Sequence, residues 1–292
     1  MSYNRFLELL LRNKSGKLSA SSPSRKTHYY YLAAASLALI ALTAFFYFSD
    51  RKKIVSKDLV IATKMGSKSS VNLPDGSKVW LNAGSEISYG EDFGKSSRDV
   101  KLSGEAYFEV SPDANRPFLV HTDNFNIKVL GTAFNVRAYA ADDESEATLM
   151  QGLIELSINN GDSRKIMLKP NEKLVFKKNE RVKESALPVK PPYHPKPEIT
   201  ITGLQKSFKD SVVVETQWLY DCLAFQDDKL KDIALTMSRW YGVSVEIKDK
   251  SLEQKEFSGL FRDENVEQVM RALKLAGKFD YTINKNRITI FP

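Results

Sequence analysis

Tyr29 to Phe48 reads YYYLAAASLALIALTAFFYF, twenty residues without a charge in a chain of 292. At about 1.5 Å per residue a helix of that length spans the roughly 30 Å hydrocarbon layer of a bilayer. Tyr29, Tyr30 and Tyr31 stand at one end and Phe45, Phe46, Tyr47 and Phe48 at the other, and tyrosines favour the two membrane interfaces. A cleaved signal peptide has a shorter apolar core and small residues after it. Here the run closes on bulky rings and then on Ser49-Asp50-Arg51-Lys52-Lys53, so a retained single transmembrane helix is expected.

Charge placement agrees. Residues 1–68 hold twelve basic and three acidic residues, which leaves −2 for the remainder of a chain whose net charge is +7. Basic residues bracketing an apolar run suit anionic headgroups, whereas a nucleic-acid domain carries its excess on a folded face, so no direct nucleic-acid partner is expected. Because both flanks are basic, charge does not orient the helix. The 28-residue N-terminal tail fits a cytoplasmic stub, and the long C-terminal part fits export to the periplasm. A single cysteine, Cys222, excludes an internal disulfide, and the three histidines have no ligand spacing. Neither metal nor cofactor is expected.

Beyond a juxtamembrane linker at 49–68, residues 69–183 alternate with period two between closely spaced turn signals, which predicts an all-β domain, antiparallel and sandwich-like. Asp75-Gly76 predicts a hairpin between Val71–Pro74 and Ser77–Leu81. In Arg98–Val110 the even positions Val100, Leu102, Ala106, Phe108 and Val110 are apolar, and Lys101, Glu105 and Glu109 face the other way. Further strands are expected at Phe118–His121, Ile127–Ala138, Thr148–Ser157, Lys165–Lys169 and Lys173–Phe176. Five prolines between 188 and 197 make 184–217 read as a semi-rigid linker that holds the next domain away. From 218 to 292 the order becomes β-α-β-β-α-β-β, a small α+β docking domain. Asp227 or Asp228 is expected to cap its first helix and Gly242 to end it. Asn265 with Gln268 forms a capping box for the second, which Gly277 is expected to stop.

Leu73-Pro74-Asp75-Gly76-Ser77-Lys78-Val79-Trp80-Leu81-Asn82-Ala83-Gly84-Ser85, then Leu102-Ser103-Gly104-Glu105-Ala106-Tyr107-Phe108-Glu109-Val110, resembles the FecR family. Pro117–Thr122 and Val129-Leu130-Gly131-Thr132-Ala133-Phe134-Asn135-Val136 continue the resemblance in order. The segment from Trp218 through Trp240-Tyr241-Gly242-Val243 to Phe257-Ser258-Gly259 is similar to the domain that often follows FecR, itself similar to the short N-terminal domain of secretins and TonB-dependent receptors. The resemblance implies a transmembrane anti-sigma factor. Its partners would be the signalling domain of a TonB-dependent outer-membrane receptor in the periplasm and an extracytoplasmic-function sigma factor at the cytoplasmic tail. Asn4–Ser19 matches only the opening helix of the family's cytoplasmic domain, with Phe6, Leu7, Leu10 and Leu11 on one face as the candidate sigma-binding residues. Trp240, Tyr241, Phe257 and Phe261 are candidates for receptor docking, with core packing as the alternative for the tryptophan and its neighbour.

In some proteins of this family the bond matching Gly131–Thr132 breaks without a protease, the threonine hydroxyl attacking the preceding carbonyl to form an ester that water then opens. A β-bulge explains the same glycine, since the apolar parity changes there from Ile127 and Val129 to Thr132, Phe134 and Val136. Glu105 and Glu109 lie four residues apart on one strand, about 13 Å, too far for paired glycosidase carboxylates, and read as a solvated face. Asp142, Asp143, Glu144 and Glu146 lack EF-hand spacing. No convergent acid, base and nucleophile are visible, so an enzyme is not expected. The alternative is a membrane-anchored binding or docking module, glycan-binding for instance, without sigma control.

Overall fold

The structure, a computed structural model, describes residues 25–49, 58–159, 165–178, 198–204 and 213–292, with side chains in 25–49 covering 29–43 alone. The candidate residues Phe6, Leu7, Leu10 and Leu11 lie outside it, as do the prolines of the expected linker. Two compact units divide the chain, Met1–Val55 and Ser56–Pro292. In the first, Arg25–Ser49 forms helix α1, and its described side chains from Tyr29 to Leu42 are exposed. Among the described residues no helix is long and apolar enough to cross a membrane.

The described residues between 59 and 203 in the second unit fold as a sandwich of two sheets that share their longest strand, β5 (Asp99–Glu109). The other strands are β1 (Leu59–Ala62), β2 (Ser69–Asn72), β3 (Lys78–Leu81), β4 (Glu86–Tyr89), β6 (Phe118–His121), β7 (Phe125–Val129), β8 (Ala133–Ala138), β9 (Glu144–Gln151), β10 (Ile154–Ile158), β11 (Lys165–Leu168), β12 (Glu172–Lys177) and β13 (Glu198–Gly203). One sheet runs β1-β4-β5-β6-β7-β10-β11 and the other β2-β3-β5-β8-β9-β12-β13. Among the described strands of the sandwich all pairings are antiparallel except β5 with β6, which departs from the antiparallel expectation. The changeover sits at Gly104. Asp99–Ser103 pairs into the first sheet and Gly104–Glu109 into the second. Gly104 adopts φ +115°, and a Cβ there would lie 2.5 Å from the Ser85 hydroxyl, so glycine alone permits the bend. Between the sheets lies an apolar core in which Phe108 stacks on Phe134 at 4.9 Å.

Sharing strands between sheets also explains where the sequence reading merged elements. Ile127–Ala138 is two strands, because β7 belongs to the first sheet and β8 to the second, and Thr148–Ser157 likewise divides into β9 and β10. The parity change at Gly131 marks that crossing. A register shift does occur nearby, but opposite: Ala133 faces Gln151 and Phe134 faces Leu149, which places the extra residue on β9 beside Gly152, at φ +97°. The Asp75-Gly76 turn forms as expected, and its aspartate does more than turn. Asp75 accepts from the Ser77 amide (2.9 Å) and hydroxyl (2.7 Å) and from Arg98 (3.1 Å), the Arg98 and Asp75 side chains being 1% and 2% exposed. Arg98 also reaches the Ser111 and Arg116 carbonyls, so one buried guanidinium ties the β2–β3 turn to the loop after β5.

β13 falls inside the stretch read as a linker and extends the second sheet through β12. A 3-10 helix, Val214–Tyr220, then leads into β14 (Cys222–Lys229), α2 (Leu230–Tyr241), β15 (Ser244–Ile247), the single-turn α3 (Lys250–Glu253), β16 (Glu256–Arg262), α4 (Val266–Gly277), β17 (Asp280–Asn284) and β18 (Arg287–Phe291). This is the expected order with one short helix added. β14 pairs with β16, and β15-β18-β17 form a second small sheet over a core that includes Leu223, Phe225, Leu230, Ile233, Met237, Val269 and Met270. The Asn265–Gln268 capping box is present, and Gly242 ends α2 at φ +67°. Two cap expectations are corrected. Lys229 precedes α2 without a side-chain cap, because Asp228 turns back to accept from the Gln226 amide at a bulge in β14. Helix α4 continues through Gly277 and ends at Lys278, φ +50°.

Candidate functional site at the interdomain joint

The outer face of the second sheet, expected to be solvated, carries the C-terminal domain. Its outward side chains are therefore a polar floor under a second layer, and Glu105 is 8% exposed. Glu105 accepts from Asn82 Nδ2 (2.8 Å) and Asn135 Nδ2 (2.9 Å), and Asn135 Oδ1 accepts from Trp218 Nε1 of the 3-10 helix (3.2 Å). Burial pushes the Glu105 carboxyl above the usual range, against the pull of Arg137 and the two amides. Sequence alternation could not reveal this, since a glutamate on an outward face reads alike whether water or a domain covers it.

Asp142, from the acidic run that lacks EF-hand spacing, joins the two domains. It is 6% exposed and binds two arginines. Arg239 of α2 reaches it at 2.7 and 3.2 Å, and Arg137 of β8 at 3.0 and 3.1 Å. Arg239 also stands over the Tyr139 ring, 4.0 Å from its centroid. Burial works against the Arg137 charge, yet Asp142 and Glu105 outweigh it and raise its pKa. The neighbours in the acidic loop are likewise taken up by cations. Lys231 pairs with Asp143, Lys177 with Glu144 at 3.7 Å, and Lys173 with Glu146 at 3.7 Å and with Glu215 at 2.9 Å. Among the described residues no group of three or more His, Cys, Asp or Glu is placed to hold a metal. A cleft of about 280 Å³ remains at this joint, lined among others by Glu105, Asn135, Arg137, Lys173, Trp218 and Asp228. Burial raises the Asp228 pKa to about 6, helped by Glu146 and opposed by Arg137 and Lys173.

The third contact comes from loop 63–68, which joins β1 to β2. The Gly66 amide donates to the Arg239 carbonyl (2.7 Å). Lys68 Nζ donates to the Trp218 carbonyl (2.6 Å), pairs with Asp221 (2.9 Å) and stands 3.9 Å over the Trp240 ring. A recess of about 350 Å³ opens beside this loop, lined by Lys68, Asp221, Trp240, Tyr241, Phe261 and Glu264 among others.

Of the four candidate docking residues, Trp240, Tyr241 and Phe261 therefore border one recess. Phe257 does not: it is 8% exposed and packs edge-on against Phe279 in the C-terminal core. Tyr241 donates to the Glu264 carbonyl (2.8 Å), and Phe261 meets Phe225 edge-on. Gly131 and Thr132 lie at the far end of β8. Thr132 is 5% exposed, and its hydroxyl donates to the Leu153 carbonyl at 3.2 Å. Trp80 is half-buried beside Tyr107, with ring centroids 5.8 Å apart.

Two family models match: FecR protein over residues 60–155, and FecR, C-terminal, over residues 223–290. Among solved structures, a crystal structure of a candidate anti-sigma factor from Parabacteroides distasonis ATCC 8503 is similar at 25% identity and a TM-score of 0.67. It covers 80% of this chain and 98% of that one. A second crystal structure with the same description gives the same identity and score and is covered over 99% of its length. No curated protein matches the chain.

Proposed function

The chain belongs to the FecR family, and from that premise we propose that it is a single-pass signal transducer of the inner membrane that regulates an extracytoplasmic-function sigma factor. In this reading Tyr29–Phe48 crosses the bilayer, the tail with Phe6, Leu7, Leu10 and Leu11 meets the sigma factor in the cytoplasm, and residues 58–292 lie in the periplasm. There the C-terminal domain receives a TonB-dependent outer-membrane receptor. The observation that carries the proposal is the match of 80% of this chain to a solved chain of a candidate anti-sigma factor that is itself covered over 98%. The uncharged twenty-residue run between a basic tail and these domains supplies the remainder.

Mechanistically, a regulator of this kind needs a recipient domain whose state is coupled to the chain segment leading to the membrane. The joint supports this reading, because α2 of the C-terminal domain binds the sandwich both through Asp142 and through Gly66 and Lys68 of the β1–β2 loop, next to the first strand after α1. Transcript profiling tests the reading. Deleting the gene and deleting only Asn4–Ser19 should shift one shared set of transcripts in the same direction. A full deletion that leaves the transcriptome unchanged would refute sigma control.

A further inference from the structure

The recess beside loop 63–68 has polar groups that do not balance. Its walls are Trp240, Tyr241 and Phe261, its carboxylates are Asp221, Asp263 and Glu264, and Lys68 is the one cation lining it among the described residues. Glu264 Oε2 is buried and has no hydrogen-bond partner among the described residues. A buried carboxylate oxygen without a donor is costly until a donor reaches it. Carboxylates beside an aromatic face are the surroundings that a guanidinium or ammonium group selects.

The same recess borders a mechanical contact. Gly66, at φ +74°, donates its amide to the Arg239 carbonyl, one of the acceptors that the end of α2 leaves open. Gly242, at φ +67°, is so close that a Cβ on it would lie 3.6 Å from the Met65 carbonyl, and two backbones thus meet with no side chain between them. Lys68 secures this contact through the Trp240 ring and Asp221, near the negative end of the helix.

We propose that the recess receives an arginine or lysine side chain from a partner polypeptide, and that this incoming cation displaces Lys68 from Trp240 and Asp221, freeing loop 63–68 from the end of α2. The inference rests on the signalling role above and specifies the contact by which a signal reaches the β1–β2 loop, one strand away from the segment that leads to α1. Charge complementarity selects the occupant: three carboxylates and three aromatic rings surround a single resident cation that a second cation can replace.

Photo-crosslinking of the full chain in native membranes tests it, with p-benzoylphenylalanine at position 261 and, independently, at the exposed position 67, and with sequencing of the captured peptide. A segment of another polypeptide with Arg or Lys within a few residues of the crosslink is expected. Glu264→Gln should lower its yield about tenfold, since a charge-assisted hydrogen bond is lost. Lys68→Ala should raise the yield about fivefold, because the resident competitor for the ring is gone. Lys68→Arg, which keeps a cation there, should leave it near the wild-type level. Capture of an acidic or apolar segment, of lipid or of a second copy of this chain would overturn the proposal, as would no capture at either position. So would a yield that falls in Lys68→Ala, the result expected if Lys68 merely held the fold. Capture of a basic segment with the expected responses, in cells whose transcripts ignore deletion of the gene, would uphold the contact and refute the signalling role.

Discussion

Replacing Asp142 by alanine removes the carboxylate that is ion-paired with both Arg137 and Arg239. Four hydrogen bonds of 2.7 to 3.2 Å disappear, and Arg239, whose side chain is 10% exposed, keeps its charge with no ion-pair partner among the described residues. Removing one partner from a buried ion pair costs about 3–5 kcal/mol. The lower end applies here, because the Arg137 side chain is 27% exposed and water can reach it. A loss of about 3 kcal/mol falls on the joint rather than on the core of either domain, so it should appear as uncoupling. In urea titrations followed by tryptophan fluorescence, Trp218 at the joint should report a transition at lower denaturant than far-UV circular dichroism reports for the sandwich. Asp142→Asn, which keeps one acceptor, should fall between. In a double-mutant cycle the Asp142→Ala and Arg239→Ala losses should be strongly non-additive. Coincident transitions at the wild-type midpoint in Asp142→Ala would refute the view that this triad holds the domains together.

The Arg98–Asp75 pair should behave as a core element of the sandwich. Asp75→Ala should cost about 3–4 kcal/mol, measured by chemical denaturation, with no separate transition for the C-terminal domain. Gly104→Ala should cost several kcal/mol or abolish folding, since the new Cβ would overlap Ser85 backbone and side chain at a positive φ; soluble yield and melting temperature check it. Asp228 gives a pH dependence. Its folded value of about 6 exceeds the unfolded value, so the folded state binds the proton more tightly, and the contribution of Asp228 to stability is full below about pH 4 and is lost as pH rises through 6. Two pH units correspond to on the order of 3 kcal/mol, and Asp228→Asn should recover most of that at pH 7 and flatten the profile between pH 4 and 6 in denaturation series. The bond at Gly131–Thr132 is testable by intact-mass measurement: if self-cleavage occurs, the full chain yields two fragments, and Thr132→Ala abolishes them.

How much of this was legible follows from what period and turn chemistry encode. Alternation through β5 and the residue after it identified Val100, Leu102, Ala106, Phe108 and Val110 as core because each belongs to the apolar core of one domain. The capping box at Asn265 and the stop at Gly242 were readable because their partners lie within a few residues. What escaped depends on residues far apart in sequence. Glu105 looks solvated until Asn82, Asn135 and Trp218 surround it. Asp142 looks like part of an acidic loop until Arg239, 97 residues later, arrives. Asp228 looked like a helix cap because aspartate before an apolar stripe usually is one, and the β14 bulge redirected it to the Gln226 amide. The stretch 184–217 read as a linker on its prolines alone, and β13 formed where they end, because β12 offered an open edge. One signal was present and undervalued: Gly104 inside a strand, where glycine marks a bend or close approach, identified the site at which β5 passes from one sheet to the other.

Sigma-factor control through the N-terminal tail is tested most directly by co-purification of the full chain from detergent-solubilised native membranes through a C-terminal tag, with bound chains identified by mass spectrometry and a deletion of Asn4–Ser19 as control. The expected result is an extracytoplasmic-function sigma factor that is recovered with the full chain and lost with the deletion. Recovery of envelope proteins alone, unchanged by the deletion, would contradict it and leave a membrane-anchored docking module.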